Sequence, residues 1–266
     1  MKKAVILARG LGKRMRRTDN SVQLASGQRE PADAGVKAMI PVGRPFLDFV
    51  LSALADSGIG EACIVIGPEH AAVREYYDSL SLRRISVVFA IQEQPLGTAN
   101  AVLAARKFAA DEPFLVLNSD NYYPAEVFSA LRILGEPGVA AFERESLVRE
   151  SNIPRDRVRD YALLQISADG WLETIVEKPE RLSDAGEEMF VSMNCWRFDA
   201  GIFRACEEVP KSPRGEFELP QAVQLGISSL GMRFKAVAFR VGVLDLSYRS
   251  DVDSVAQHLV HVRPEL

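Results

Sequence analysis

Cysteine is scarce. Cys63, Cys195 and Cys206 are the only three in 266 residues, odd in number and far apart. That argues against a disulfide framework and predicts buried thiols in a reduced, cytoplasmic setting. Long apolar runs are missing too. Nothing approaches the roughly 18 apolar residues of a transmembrane helix. The opening run Ala4–Ala8 stops at Arg9, too soon for the apolar core of a signal peptide. There is no surplus of positive charge: 32 Lys and Arg face 36 Asp and Glu, a net charge of −4. The chain therefore has no overall field for nucleic acid or an anionic membrane, and any polyanion must be met by a local cluster of cations. Histidine is sparse, and His70, His258 and His261 have no Cys or His partner at metal-ligand spacing. All three read as surface residues on helices. Internal repeats and low-complexity linkers are absent.

What is present is an alternation of apolar runs and amphipathic stretches. Hydrophobic residues make up 47% of the chain, enough for a large core at this length. Ala4–Leu7, Ala62–Ile66, Val87–Ile91 and Phe114–Leu117 read as buried strands. Between them lie helices opened by Pro45, over about 69–80, and over Ala99–Phe108. Strand and helix at this spacing predict right-handed βαβ units on a mainly parallel sheet. Residues 16–35 are polar, rich in turn formers, and read as one long loop. From about residue 139 the rhythm turns strand-rich: Val139–Phe142, Ala162–Ile166, Leu172–Val176 and Val191–Phe198, with Asp169-Gly170 as a hairpin turn. Phe217–Leu230 reads as a helix, Phe234–Arg240 as a strand and Asp251–Val262 as a final helix. A single domain over 1–266, a Rossmann-like three-layer α/β/α fold with a mainly parallel mixed sheet, is the simplest expectation. Trp171 and Trp196 are expected in core or rim packing rather than on a ligand.

The first strand runs into Leu7-Ala8-Arg9-Gly10-Leu11-Gly12-Lys13-Arg14-Met15. A dinucleotide fingerprint needs a third glycine where Met15 stands. A P-loop needs glycine at Leu7 and Ser or Thr at Arg14. A glycine pair alone can simply make a tight strand-to-helix turn. The charge tips the balance, because Arg9, Lys13, Arg14, Arg16 and Arg17 crowd one turn at the carboxyl end of the first strand. Glycines let backbone N–H groups approach an anion, and the cations neutralise it.

With this loop and the motifs after it, the sequence resembles the sugar-phosphate nucleotidyltransferase family. That family opens with L-A-x-G-x-G-S/T-R-M/L and follows it with K-P-x-x-P-V and Q-x-x-P-x-G-T-A. A metal aspartate in G-D, an E-K-P, a strand asparagine and a late aspartate in W-L-D-T-G complete its pattern. Lys37-Ala38-Met39-Ile40-Pro41-Val42, Gln92–Ala99, Asn118–Asn121, Glu177-Lys178-Pro179, Asn194 and Val243–Ser247 match these in order over nearly the whole chain. The resemblance implies a nucleotidyltransferase fold of the glycosyltransferase-A-like kind, with a nucleotide half over about 1–135 and a strand-rich sugar-phosphate half over about 136–266. It implies nucleotide contacts from Leu7, Ala8, Gly10, Gly12, Lys13, Gln92, Pro95, Gly97 and Thr98, with Gly97 letting the base lie against backbone. Arg14, Lys37 and Lys178 become the phosphate-handling cations. Asn118, Tyr161, Glu177 and Asn194 become sugar contacts. Asp120 and Asp245 become ligands of Mg²⁺, with Asp251 and Asp253 as nearby rivals to Asp245. The chain departs from the family pattern at Lys13 (a hydroxyl residue in relatives), at Ala38 for proline, at Ser119 for glycine and at Ala162.

The activity so implied is condensation of a nucleoside triphosphate with a sugar 1-phosphate, giving a nucleotide sugar and pyrophosphate. Gln92 leans towards UTP or dTTP, since its amide can pair with the carbonyl and N–H edge of a pyrimidine. The rivals are a guanylyltransferase of the same family, a related glycosyltransferase and a non-catalytic nucleotide-sugar-binding regulator. The oligomeric state, including a homo-oligomer, is left open.

Overall fold

A computed structural model describes residues 1–177 and 188–266. Its main sheet has the order β10-β6-β9-β4-β1-β2-β3. The strands are β1 (Lys3–Leu7), β2 (Glu61–Ile66), β3 (Ser86–Ile91), β4 (Phe114–Asn118), β6 (Gly138–Glu143), β9 (Phe190–Phe198) and β10 (Lys235–Phe239). All run in one direction except β9, which is antiparallel to both β4 and β6. The sheet is thus mixed, mainly parallel and flanked by helices, as expected. A hairpin of β7 (Ala162–Ile166) and β8 (Leu172–Val176) adds to it through β9. A two-stranded ribbon pairs β5 (Asn121–Tyr122) with β11 (Leu244–Asp245).

The apolar runs are continuous because both faces of the central strands are covered. Successive side chains of a strand point to opposite faces. Ala4, Ile6, Leu115 and Leu117 accordingly enter one core, with Phe46, Leu47, Val127, Phe128 and Val255 of the helices on that side. Val5, Leu7, Phe114 and Val116 enter the other, with Ala101, Val102, Ile202, Phe203, Ala222 and Val223. Trp196 is fully buried there, stacked on Phe198 with centroids 5.4 Å apart. Trp171 lies at the rim under the Arg233 guanidinium, 3.8 Å from the ring. Both tryptophans therefore pack as expected. The three cysteines are free and buried.

Residues 16–35 are not one long loop. Ser26–Ala34 is a helix with Ala32 buried. Its polar composition, Gly27 and Pro31 hide it in the sequence. It is held instead by side chains that reach outside it: Gln28 donates to the Pro41 carbonyl at 2.9 Å and accepts the Ala25 N–H at 3.0 Å. The helix expected over Ala99–Phe108 breaks at Ala105 into Thr98–Ala104 and Arg106–Ala109. The one expected from Phe217 starts at Leu219. Ala125–Ile133, Arg144–Glu150 and Ile202–Glu208 are further helices that the pattern did not mark. Among the described residues, no helix is long and apolar enough to cross a membrane.

One consequence of this topology sets up the site. β9 pairs with β4 through Trp196–Phe198 but with β7 through Phe190–Ser192. Asn194, at the changeover, takes a left-handed φ of 63°. β4 therefore ends at Asn118 just where the β7–β8 hairpin begins, and a gap opens at the carboxyl edge of the sheet. Open α/β sheets bind ligands at such an edge.

Candidate active site

A cavity of about 770 Å³ lies along this edge and a second, of about 270 Å³, opens beside it. They share Thr98, Asn118, Asp160, Tyr161, Glu177, Arg214 and Glu216 as lining, so they form one two-chambered cleft. The larger chamber collects every residue expected to touch nucleotide, Leu7, Ala8, Gly10, Gly12, Lys13, Gln92, Pro95, Gly97 and Thr98, together with the expected phosphate-handling cations Arg14 and Lys37. Asn118, Asp120, Tyr161 and Glu177 line it as well. Asn194 lines only the smaller chamber. Asp245 is buried just behind the larger one. Lys178 lies outside the described residues.

The five cations of the glycine loop do not act as one cluster. Arg9 is buried, donates from Nε to the Gln92 carbonyl at 3.1 Å and pairs with Glu69 at 2.7 Å. Arg16 donates to the Asp33 carbonyl at 3.2 Å, and Arg17 is exposed. Burial of a guanidinium requires a partner, and Arg9 has found its partner in the fold. Of the loop cations, Lys13 and Arg14 line the chamber without being buried as Arg9 is, and Lys37 and Arg214 line it from other segments. Gly10 faces it with open space where a Cβ would sit, so an anion can approach the backbone there. Gly12 serves packing: at φ 57° a Cβ would lie 2.4 Å from the Gly35 carbonyl oxygen. Arg14 holds Asp160 at 2.9 Å.

Beside the loop lies a charged centre. Lys37, on a short 3-10 turn, bonds the Asp120 carboxylate. Burial works against the lysine's charge, but Asp120 and then Asp245 outweigh it and raise its pKa above the ordinary value. The Leu246 N–H donates to the Asp120 carbonyl at 2.9 Å, alongside the pairing of Asp245 with Asn121. That brings Asp120, in the turn just before β5, beside Asp245 of β11. Burial, and then the charge of Asp120, push the Asp245 carboxyl up to about 6. Two carboxylates crowded in low dielectric are under-neutralised, and a hard cation would relieve them. Among the described residues no group of three or more His, Cys, Asp or Glu side chains gathers. A bound Mg²⁺ would thus take two protein carboxylates and complete its shell from phosphate and water, its usual manner. The donor set fits that ion.

The rival aspartates are otherwise committed. Asp251 accepts two hydrogen bonds from Arg157, at 3.0 and 2.9 Å. It also accepts the N–H groups of Ser247 and Tyr248, at 3.0 and 2.7 Å. Asp253 is exposed on the final helix.

Two expectations about the base-binding stretch change. Gln92 is buried, and both N–H groups of its amide are used inside the protein, on the Gly97 carbonyl at 3.0 Å and Asn100 Oδ1 at 2.8 Å. Its Oε1 is what remains to offer a ligand. Gly97, at φ 108°, is required by protein rather than by a base: a Cβ there would lie 2.4 Å from the Phe217 carbonyl oxygen. Phe217 donates to the Leu96 carbonyl at 2.7 Å, and Thr98 Oγ1 accepts the Leu219 N–H at 2.8 Å. The turn is thus sewn to the segment that opens the helix Leu219–Ser229. Gly97→Ala combines a forced left-handed backbone with a backbone clash. It is expected to cost roughly 2–4 kcal/mol in a denaturant titration, and a loss under 1 kcal/mol would refute this account.

In the smaller chamber Asn194 donates to Asn118 Oδ1 at 2.7 Å and accepts the Trp196 indole N–H at 2.8 Å. Asn118 in turn donates to Asn121 Oδ1 at 3.2 Å. Arg214 reaches Glu218 at 2.7 Å and Glu177 at 3.3 Å.

Asn152 carries no signal in the sequence, and Tyr161, expected only as a sugar contact, has a second role. Asn152 clamps the Asp245 backbone from both sides, donating to its carbonyl and accepting its N–H, each at 2.8 Å. The Tyr161 hydroxyl donates to Asp245 Oδ2 at 2.9 Å, so Tyr161 stands beside the carboxylate pair as well as in both chambers. Burial, and then the charge of Asp245, hold that phenol well above its ordinary pKa. His70, expected at the surface, is buried, with Nδ1 accepting the Gly67 N–H at 3.3 Å. Burial lowers its pKa and keeps it neutral. His258 and His261 are exposed as expected.

A mixed α/β sheet with cations, a glycine loop and a carboxylate pair at its carboxyl edge is the arrangement of a phosphate-handling α/β protein. The chain belongs to the nucleotidyl transferase family, whose model matches residues 3–238, and is a nucleotidyltransferase. It is 29% identical over 258 residues to the UTP–glucose-1-phosphate uridylyltransferase AglF of Haloferax volcanii, covering 96% of each chain. It is 25% identical over 252 residues to the UTP–glucose-1-phosphate uridylyltransferase of Bacillus subtilis, covering 84% of this chain and 80% of that one. Its fold is similar to that of a UDP-glucose pyrophosphorylase solved with UDP-glucose, with a TM-score of 0.76, 18% identity and coverage of 99% and 100%.

Proposed function

We propose that this nucleotidyltransferase is a uridylyltransferase that joins UTP to a sugar 1-phosphate, with glucose 1-phosphate the leading candidate, and releases pyrophosphate. The observation that carries the reading is the joined cleft. One chamber is lined by Lys13, Arg14, Lys37 and Asp120, the other by amides and carboxylates suited to sugar hydroxyls, and Asn118, Tyr161 and Glu177 line both. The names of the relatives supply the choice of UTP and glucose. Gln92 Oε1 is suited to accept the ring N–H of uracil.

The sugar phosphate is already an anion at neutral pH, so attack on the α-phosphorus requires no general base. A bond forms from the sugar-phosphate oxygen to the α-phosphorus while the bond to the bridging oxygen breaks, and pyrophosphate leaves. The obstacle is bringing two polyanions together, so positioning and charge neutralisation dominate. Arg14 and Lys13 hold the leaving pyrophosphate, and Lys37 stands by the transferred group. Asp120 and Asp245 would hold a Mg²⁺, which supplies further neutralisation of phosphate oxygens. The amides of Asn118 and Asn194, with Glu177 and Tyr161, orient the sugar.

The test is a panel of five nucleoside triphosphates against several sugar 1-phosphates with Mg²⁺, read as pyrophosphate release. UTP with glucose 1-phosphate should give the highest kcat/KM. Another preferred pair corrects the substrate assignment. Silence across the panel, with nucleotide-sugar consumption instead, would point to a glycosyltransferase.

A further inference from the structure

The ring of Tyr248 has two guanidinium groups over it, Arg14 at 5.4 Å from the ring centroid and Arg157 at 4.6 Å. The two arginines belong to different parts of the site. Arg14 follows the glycine loop and lines the larger chamber. Arg157 binds Asp251 through two hydrogen bonds and reaches Asp245 Oδ2 at 3.4 Å. The Tyr248 backbone is anchored between them by its N–H to Asp251. Its neighbour Arg249 donates to the Met15 carbonyl at 2.9 Å and pairs with Asp33, tying the segment to the short helix that carries Arg14. The Tyr248 hydroxyl has no hydrogen bond among the described residues, so the ring is the part in use.

We infer that Tyr248 is a positioning residue that joins the triphosphate grip to the carboxylate centre, so that UTP and the divalent cation strengthen each other's binding. The inference rests on the roles proposed above for Arg14 and Asp245. Two guanidinium groups repel one another, and a π-face attracts each of them. In the free protein Arg14 is also held by Asp160. A triphosphate that engages Arg14 competes with that carboxylate, and the ring is then the contact that keeps the guanidinium in place. The Asp245–Arg157–Tyr248–Arg14 chain therefore makes the order of each end depend on the other. Coupling of this kind is reciprocal: if the cation tightens UTP, then UTP tightens the cation by the same factor.

The experiment is calorimetric titration of UTP, without sugar phosphate, into the wild-type protein, Tyr248→Leu and Tyr248→Phe, each with and without Mg²⁺. Removing the ring should weaken UTP binding in Mg²⁺ roughly 3- to 30-fold, the factor that corresponds to a cation–π contact. It should also shrink the gain in affinity that Mg²⁺ brings. Tyr248→Phe should restore both to within about twofold of wild type. Wild-type affinity and wild-type Mg²⁺ gain in the leucine variant overturn the inference. So does a phenylalanine variant as weak as the leucine one, since the hydroxyl and not the ring would then matter. Melting curves accompany each titration, and Tyr248→Met stands in as the ringless variant if Tyr248→Leu does not fold. A wild-type protein that binds no UTP in Mg²⁺ removes the functional reading itself, and this inference with it.

Discussion

Arg14→Ala is expected to lower kcat/KM for the nucleotide by about 10²–10³, the cost of losing one preorganised charge-stabilising donor, with little change in melting temperature. The two halves of this expectation have separate causes. Arg14 lines the larger chamber, and in the proposed reaction the leaving pyrophosphate needs charge where it departs. Its stability role is small. The Arg14–Asp160 pair is partly exposed on both sides, and such pairs contribute about 0–1 kcal/mol. Freed Asp160 stays in contact with water and needs no replacement partner. Arg14→Lys should recover part of the rate, because it restores charge without the planar two-point grip of a guanidinium. Arg9→Ala gives the contrast: it removes a buried side chain that ties the loop to the Gln92 carbonyl and Glu69. Its main effect should therefore be on the melting curve. Near-normal turnover in Arg14→Ala would remove Arg14 from the mechanism.

That contrast also shows where sequence reading reaches and where it stops. The central strands are legible because burial on both faces writes them as unbroken apolar runs. Helix Ser26–Ala34 is illegible for the opposite reason: its one buried apolar side chain is Ala32, and its hold on the protein comes through Gln28 and Arg29. In the site, spacing relative to the first strand and the order of motifs bring Arg14, Lys37, Gln92 and Asp120 to one cleft. Spacing does not separate Arg9 from Arg14, which stand five residues apart in the same charged loop. Only the tertiary position of Glu69 and the Gln92 carbonyl decides that one is buried and the other is not. Asn152, Arg157 and Tyr248 act on residues or segments roughly 90 positions or more away in the chain, as in Arg157–Asp251. A contact of that kind leaves no local pattern, and Arg155-Asp156-Arg157 reads simply as a charged turn.

The second large effect concerns Asp245. Asp245→Asn is expected to reduce turnover by at least about 10²–10³, and to abolish the rise in melting temperature that Mg²⁺ gives the wild-type protein. The stability of the metal-free protein carries an independent signature of the same carboxylate. Its carboxyl titrates at about 6 in the fold against an ordinary value of 3.8. The fold thus favours the protonated form, because burial and the charge of Asp120 oppose ionisation. Stability from this group is therefore full below about pH 4 and is lost as pH rises through about 6. At most the loss is on the order of 3 kcal/mol, from a difference of about two pKa units. The asparagine variant has no proton to lose there. Subtracting its melting curve from that of the wild type, without metal, should therefore give a difference that shifts against the wild type between pH 4 and 7 and is level above. Adding Mg²⁺ at pH 7.5 should return stability to the wild type alone, and less so at pH 5, where a proton competes for the same oxygen. A difference curve flat across this range would contradict the crowded pair of carboxylates, and an Asp245→Asn protein still stabilised by Mg²⁺ would remove Asp245 as a ligand. If both expectations hold, the apo protein carries an electrostatic penalty at the position where the substrate-bound metal is needed. Asp245 is then a residue kept for binding at the expense of the empty fold.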